Sequence, residues 1–184
     1  MFRSAAITLA LCFAAVTAQA APVKYQYQGP DFTIGTSPVE GLTNISGYFV
    51  LDDAIAPNTL FHAEGDRPEL GAAPIALWFT DGVTTITSLS EVIDWGMWIE
   101  TDGTGALSVW QVGLQKAGNG PVGTFLNMNV DYNFTPGSGF DQTHYCNITD
   151  PNSCYSVGGR RVVTDTLNHG TWTITVVPAP AAVW

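Results

Sequence analysis

Gly170-Thr-Trp-Thr-Ile-Thr-Val-Val177 is the stretch on which the fold turns. Trp172, Ile174 and Val176 alternate with Thr171, Thr173 and Thr175, so one side is apolar and the other carries hydroxyls, the period-two pattern of a half-buried β-strand. Pro178 and Pro180 lack the N–H that a ladder needs, and they end the run. The same alternation is most regular from Gly123 to Phe134, with Leu126, Met128, Val130, Tyr132 and Phe134 on one side and Asn127, Asn129, Asp131 and Asn133 on the other. Ile45 to Leu51 is a third such run, in which Ile45, Phe49 and Leu51 are expected to face the core.

Between these runs the chain reads as short strands and turns, with no long helical period and no repeat. Lys24 to Gln28 alternates Tyr25 and Tyr27 with polar neighbours, and Gly29 to Gly41 follows as a Gly/Pro/Ser-rich loop. Ile75 to Thr80 and Val83 to Thr87 flank Asp81-Gly82, and Met97 to Thr101 and Gly105 to Leu114 flank Asp102-Gly103-Thr104, two hairpin signals that call for positive φ. Ser88 to Gly96 has room for a single helical turn. Asp52 to Ala72, broken by Pro57, Gly65, Pro68 and Gly71, reads as one long surface connection. Arg160 to Thr166 and Gly170 to Val177, joined at Leu167-Asn168-His169, read as a final hairpin. The expectation is an all-β chain, an antiparallel β-sandwich or jelly roll of roughly eight or nine strands.

Met1 to Ala20 has the parts of a secretory signal peptide: Arg3, an apolar stretch from Ala5 to Val16, and the small-x-small site Ala18-Gln19-Ala20. A lipoprotein signal at Cys12 fits less well, because Leu11 stands where such signals carry a small residue. Residues 1–20 are therefore taken as the leader, 21–177 as a single β-sandwich domain and 178–184 as a tail. Six basic residues face sixteen acidic ones, a net charge of −10, and cleavage removes Arg3 as well. So anionic a chain repels phosphate backbones, and nucleic acid is not an expected partner. Cys146 and Cys154 remain after cleavage, close together in an exported, oxidising setting, and are expected to form a disulfide across the Asp150-Pro151-Asn152 turn. A loop of that size is worth about 2 to 3 kcal/mol in the chain-entropy account. A zinc site with His144 is the alternative, but the two thiols lack the close Cys-x-x-Cys spacing.

The tail Val177-Pro178-Ala179-Pro180-Ala181-Ala182-Val183-Trp184 resembles the start of the C-terminal sorting signal of PEP-CTERM proteins, exported bacterial proteins processed by an exosortase. Ile45-Ser-Gly-Tyr-Phe-Val-Leu-Asp52, Phe79-Thr-Asp-Gly82, Ser108-Val-Trp-Gln-Val-Gly113 and Gly170-Thr-Trp172 are similar to segments of the small β-proteins of that group. The family's signal continues into an apolar transmembrane helix and a basic cluster, whereas this sequence reads no further than Trp184, and Ala179 stands where the commonest motif has glutamate. No run after the leader approaches the roughly 20 apolar residues of a membrane span. The resemblance implies export to the cell surface or extracellular matrix, with exosortase as a processing partner and extracellular polysaccharide as a later one.

Candidate chemistry is sparse. Glu64-Gly-Asp66-Arg-Pro-Glu69 has the Glu-x-Asp-x-x-Glu spacing that resembles the signature of jelly-roll β-glucanases, but Gly65 and Pro68 oppose the strand that signature occupies, and Arg67 suits a loop neutralising its own acids. Trp95, Trp98 and Trp110 invite a carbohydrate-binding reading, since aromatic faces pack on sugar rings; large aromatics of a small β-domain are otherwise core. If Asp94 to Thr101 is extended, Trp95 and Trp98 point to opposite sides. Asp52, Asp53 and the Asp-Gly turns offer oxygens to calcium without an EF-hand pattern, so no cofactor is expected, with calcium the one candidate. His62, His144 and His169 have no paired zinc spacing and are read as surface or turn residues. The sequence thus points to an exported, non-enzymatic envelope or matrix protein, structural or adhesive in exopolysaccharide. A secreted carbohydrate-binding module is the second reading and a jelly-roll glycosidase the last.

Overall fold

The computed structural model describes residues 21–32, 41–65, 67, 69–117, 124–132, 139–147, 160–163 and 170–178. Eleven antiparallel strands among them form two sheets, the all-β sandwich expected from the sequence. The first sheet runs β11 (Thr171–Val176), β1 (Val23–Gln28), β2 (Ser46–Leu51), β4 (Ala76–Thr80) and β5 (Thr85–Ile86). The second runs β10 (Arg160–Val163), β9 (Gly139–Asn147), β8 (Thr124–Tyr132), β7 (Leu107–Ala117), β6 (Asp94–Thr101) and β3 (Leu60–Glu64). From β6 to β10 the chain is a meander of neighbours, while β3 leaves the first sheet to pair with β6 before β4 returns. One 3-10 turn, Leu89–Glu91, lies between β5 and β6, within the span that the sequence marks for a helical turn. Among the described residues no helix is long and apolar enough to cross a membrane.

Period-two alternation sends Tyr25, Tyr27, Phe49, Leu77, Phe79 and Ile86 inward from the first sheet, where they meet Met97, Ile99, Trp110, Val112 and Leu114 of the second. Ile45, Phe49 and Leu51 are buried, as their parity predicts. Trp172 wedges among the rings, 4.8 Å from Tyr27, 5.5 Å from Phe49 and 6.2 Å from Trp110 between centroids. Tyr25 stacks on Phe49 at 4.9 Å and 13°. Such pairs add about 0.5 to 1.5 kcal/mol each beyond the area they bury. The buried Tyr25 hydroxyl accepts the Ile55 N–H at 2.7 Å. Removing it in Tyr25→Phe leaves a buried donor unpaired, and chemical denaturation is expected to read a loss of about 1 to 3 kcal/mol.

Two polar ties cross the interior. The Tyr27 hydroxyl donates to Asp141 Oδ1 at 2.7 Å and accepts the Gly170 N–H at 3.1 Å, linking β1 to β9 and to the entry of β11. The Thr143 hydroxyl donates to Asp81 Oδ2 at 2.9 Å, and all four side chains are buried. Burial pushes the Asp141 carboxyl up to about 7, against the lowering influence of the Tyr27 hydroxyl, and pushes the Tyr27 phenol upward too. At the far edge Lys116 Nζ of β7 donates to Thr85 O at 3.1 Å and pairs with Glu91, whose carboxyl is held down at about 2 by the hydrogen bond from Lys116 and then by that from Thr87.

Several sequence expectations are corrected. The connection from Asp52 to Ala72 contains a strand, β3, because Ala63 is fully buried and Phe61 packs against the core. Strand β9, which carries Asp141 and Thr143, has no counterpart in the sequence reading, and with β3 it brings the strand count to eleven. The final hairpin is not one: β10 pairs with β9 and β11 with β1, in different sheets. Ile174 and Val176 are 41% and 62% exposed, since β11 is an edge strand and only Trp172 on that side reaches the ring cluster. In the β6–β7 turn the positive φ falls on Gly105, at 86°, not on Gly103. There the Asp102 carboxylate accepts from Thr104 N–H, the Thr104 hydroxyl and Ala106 N–H, and these bonds, the Thr104 hydroxyl first, hold its pKa below the usual range.

Candidate functional site

The tryptophans singled out from the sequence separate by strand parity. Trp95 and Trp98 do face opposite sides of β6: Trp95 packs against the core, with Gly65 N–H donating to its carbonyl at 3.0 Å, while Trp98 lies on the outer face of the second sheet. Trp110 is 5% exposed and belongs to the core, edge-on to Trp172. Of the three, only Trp98 faces outward.

Trp98 sits in a cross-strand row with His62 on β3 and Gln111 on β7. The adjoining row is Glu64, Gly96 and Gly113, and the two glycines leave a trough floored by backbone, about 210 Å³ in volume. The His62 ring leans on Trp98 at 4.6 Å, and its Nε2 is 2.7 Å from Glu64 Oε1. Arg67 Nε lies 3.5 Å from Glu64 Oε2, where the chain turns with Arg67 N–H donating to Glu64 O. Of the surface or turn placement expected for it, His62 takes the surface one, half-buried on the outer face of β3. Glu64 closes β3 and shares its carboxylate between a histidine and an arginine, the self-neutralising loop that Arg67 suggests; Glu69 is exposed, and Asp66 and Pro68 lie outside the described residues.

The outer face of the first sheet carries a second concavity, about 420 Å³, lined by Lys24, Gln26, Gln28, Ser46, Tyr48 and Trp78 among others. Sequence reasoning passed over Tyr48 and Trp78. The signal was present, because each neighbours a core position, Phe49 for Tyr48 and Leu77 and Phe79 for Trp78, and so must face outward.

Asp52 and Asp53 are exposed beside a shallow apolar hollow formed with Ile55 and Phe61, and among the described residues no three acidic, histidine or cysteine side chains converge as a metal site would require. Cys154 lies outside the described residues, so the Cys146–Cys154 disulfide does too; Cys146 is placed in β9, opposite Phe125. Of the sorting-like tail, Val177 and Pro178 are described, Val177 N–H donating to Pro22 O at 2.7 Å, and Ala179, Pro180, Ala181, Ala182, Val183 and Trp184 lie outside. No family model, curated protein or solved structure matches the chain.

Proposed function

We propose that the chain is an exported, non-catalytic protein of the cell surface or extracellular matrix, of the PEP-CTERM type, with a structural or adhesive role among extracellular polysaccharides. One observation carries this reading: β1 and β11 are neighbours in register, Val23 opposite Val176, so the two ends of the body are tied side by side. The leader is cut two residues before β1 begins, and the proline-marked tail leaves two residues after β11 ends. The expected leader and tail therefore attach at the same end of the β1–β11 pair, at one edge of the first sheet, which suits a body carried on a terminal tether. The engagement of Glu64 by His62 and Arg67 at the end of β3 supports the self-neutralising-loop reading of Glu64-Gly-Asp66-Arg-Pro-Glu69 over the glucanase-like one.

Cell fractionation of the native host, with protease added to intact cells, tests the proposal. The chain is expected in the surface or medium fraction and to be degraded by external protease. Retention in the cytosol, protected until lysis, contradicts it.

A further inference from the structure

We infer that the outer face of the first sheet is a binding site for neutral polysaccharide, centred on Tyr48 and Trp78. Gln26, Tyr48 and Trp78 stand directly opposite one another on β1, β2 and β4, and Gln28 and Ser46 form the adjoining row. The two rings are 6.3 Å apart with their planes within 19° of parallel, and both are part exposed. The groove beside them, at about 420 Å³, falls in the size range of small-ligand sites.

The chemistry selects the occupant. A pyranose ring has an apolar C–H face and a rim of hydroxyls, each both donor and acceptor. The groove offers aromatic faces and, alongside them, two primary amides and a hydroxyl, groups that likewise donate and accept. Lys24 is the one charged residue in its lining, and its Nζ already lies 4.2 Å from the centre of the Tyr48 ring. A lone cation so engaged, on a chain of net charge −10, disfavours a polyanion, which leaves the neutral polymer as the better match. Trp98 on the opposite face is a poorer platform because His62 leans against its ring. The assignment rests on the surface-matrix reading and gives it a contact surface.

Affinity electrophoresis of the mature chain in gels containing hydroxyethylcellulose, galactomannan or dextran, with polygalacturonate as the acidic comparison, tests it. At least one neutral polymer is expected to retard the protein. Trp78→Ala is expected to weaken that retardation roughly tenfold or more, Gln26→Ala to weaken it less, and Trp98→Ala to leave it unchanged. Gln26 is exposed, so its variant reports on the site even if Trp78→Ala fails to fold. No retardation by any neutral polymer, retardation by polygalacturonate alone, equal loss in Trp98→Ala, or a concentration-dependent dimer abolished by Trp78→Ala each overturn the assignment. Fractionation decides the surface reading separately, so a surface protein that ignores all three polymers sinks this site alone.

Discussion

The thermal midpoint of the domain is expected to rise on the order of 5 to 10 °C as pH falls from 8 to 5, and Asp141→Asn is expected to abolish most of that rise. The Asp141 carboxyl is buried and its pKa raised to about 7, from an ordinary value of 3.8. A raised carboxyl binds its proton in the folded state at pH values where the unfolded chain has released it. Its stabilisation is therefore fully present below the unfolded pKa and is lost as pH climbs through about 7. Between pH 8 and pH 5 linkage gives about 3 kcal/mol, which a domain of this size reads as the stated shift in midpoint. Glu91 and Asp102 act in the opposite sense, their pKa values being lowered, and their contribution is lost only in more acidic solution. Scanning calorimetry across the range checks the expectation, and a wild-type midpoint that is flat or falls on acidification counts against a buried, protonatable Asp141.

Gly47→Ala is expected to be among the most damaging single methyls in the described body, with Gly29→Ala and Gly170→Ala, and Gly96→Ala among the mildest. Gly47 lies inward on β2, between Tyr27 and Phe79 in register. A Cβ there would stand 2.4 Å from the Phe79 ring and 2.4 Å from the Trp78 carbonyl oxygen. The carbonyl is held in the β2–β4 ladder and cannot yield, so the strands must part, at a cost of about 3 kcal/mol. At Gly96, on the outer face, the nearest atom is Glu64 Cγ at 3.7 Å, ordinary contact, and the change is expected to be neutral or to stabilise by up to about 1 kcal/mol through the unfolded chain. Denaturant midpoints at unchanged slope check both values. Equal effects would contradict the inward placing of Gly47.

Alternation makes the interior legible wherever polar and apolar residues strictly exchange. Ile45, Phe49 and Leu51 are buried as their parity requires, and Trp95 and Trp98 part across β6 for the same reason. Pairing over long distances left no comparable mark. Nothing local in Thr171 to Val176 says that its partner is β1 and not the preceding strand, so the order β11-β1-β2 could not be read from spacing. Strand β3 is hidden because Leu60-Phe-His-Ala-Glu64 is flanked by turn residues and its one fully buried side chain is an alanine. Asp81 is hidden in another way. Turn chemistry already accounts for an aspartate before Gly82, and it does accept the Val83 and Thr84 N–H groups, yet its second oxygen takes the Thr143 hydroxyl inside the sandwich. Asp141 and Thr143 are polar residues that lie buried, the reverse of what polarity in a half-wet strand suggests. The outward parity of Tyr48 and Trp78 is legible in the sequence, but the tryptophans cluster in β6 and β7, so their density points to the other sheet.

The claim that the chain is an exported body cut free of its leader is tested most directly by the intact mass of the protein isolated from its native host, after alkylation without reduction. A chain beginning at Ala21 with neither Cys146 nor Cys154 alkylated is expected. A chain beginning at Met1 with both cysteines alkylated contradicts it.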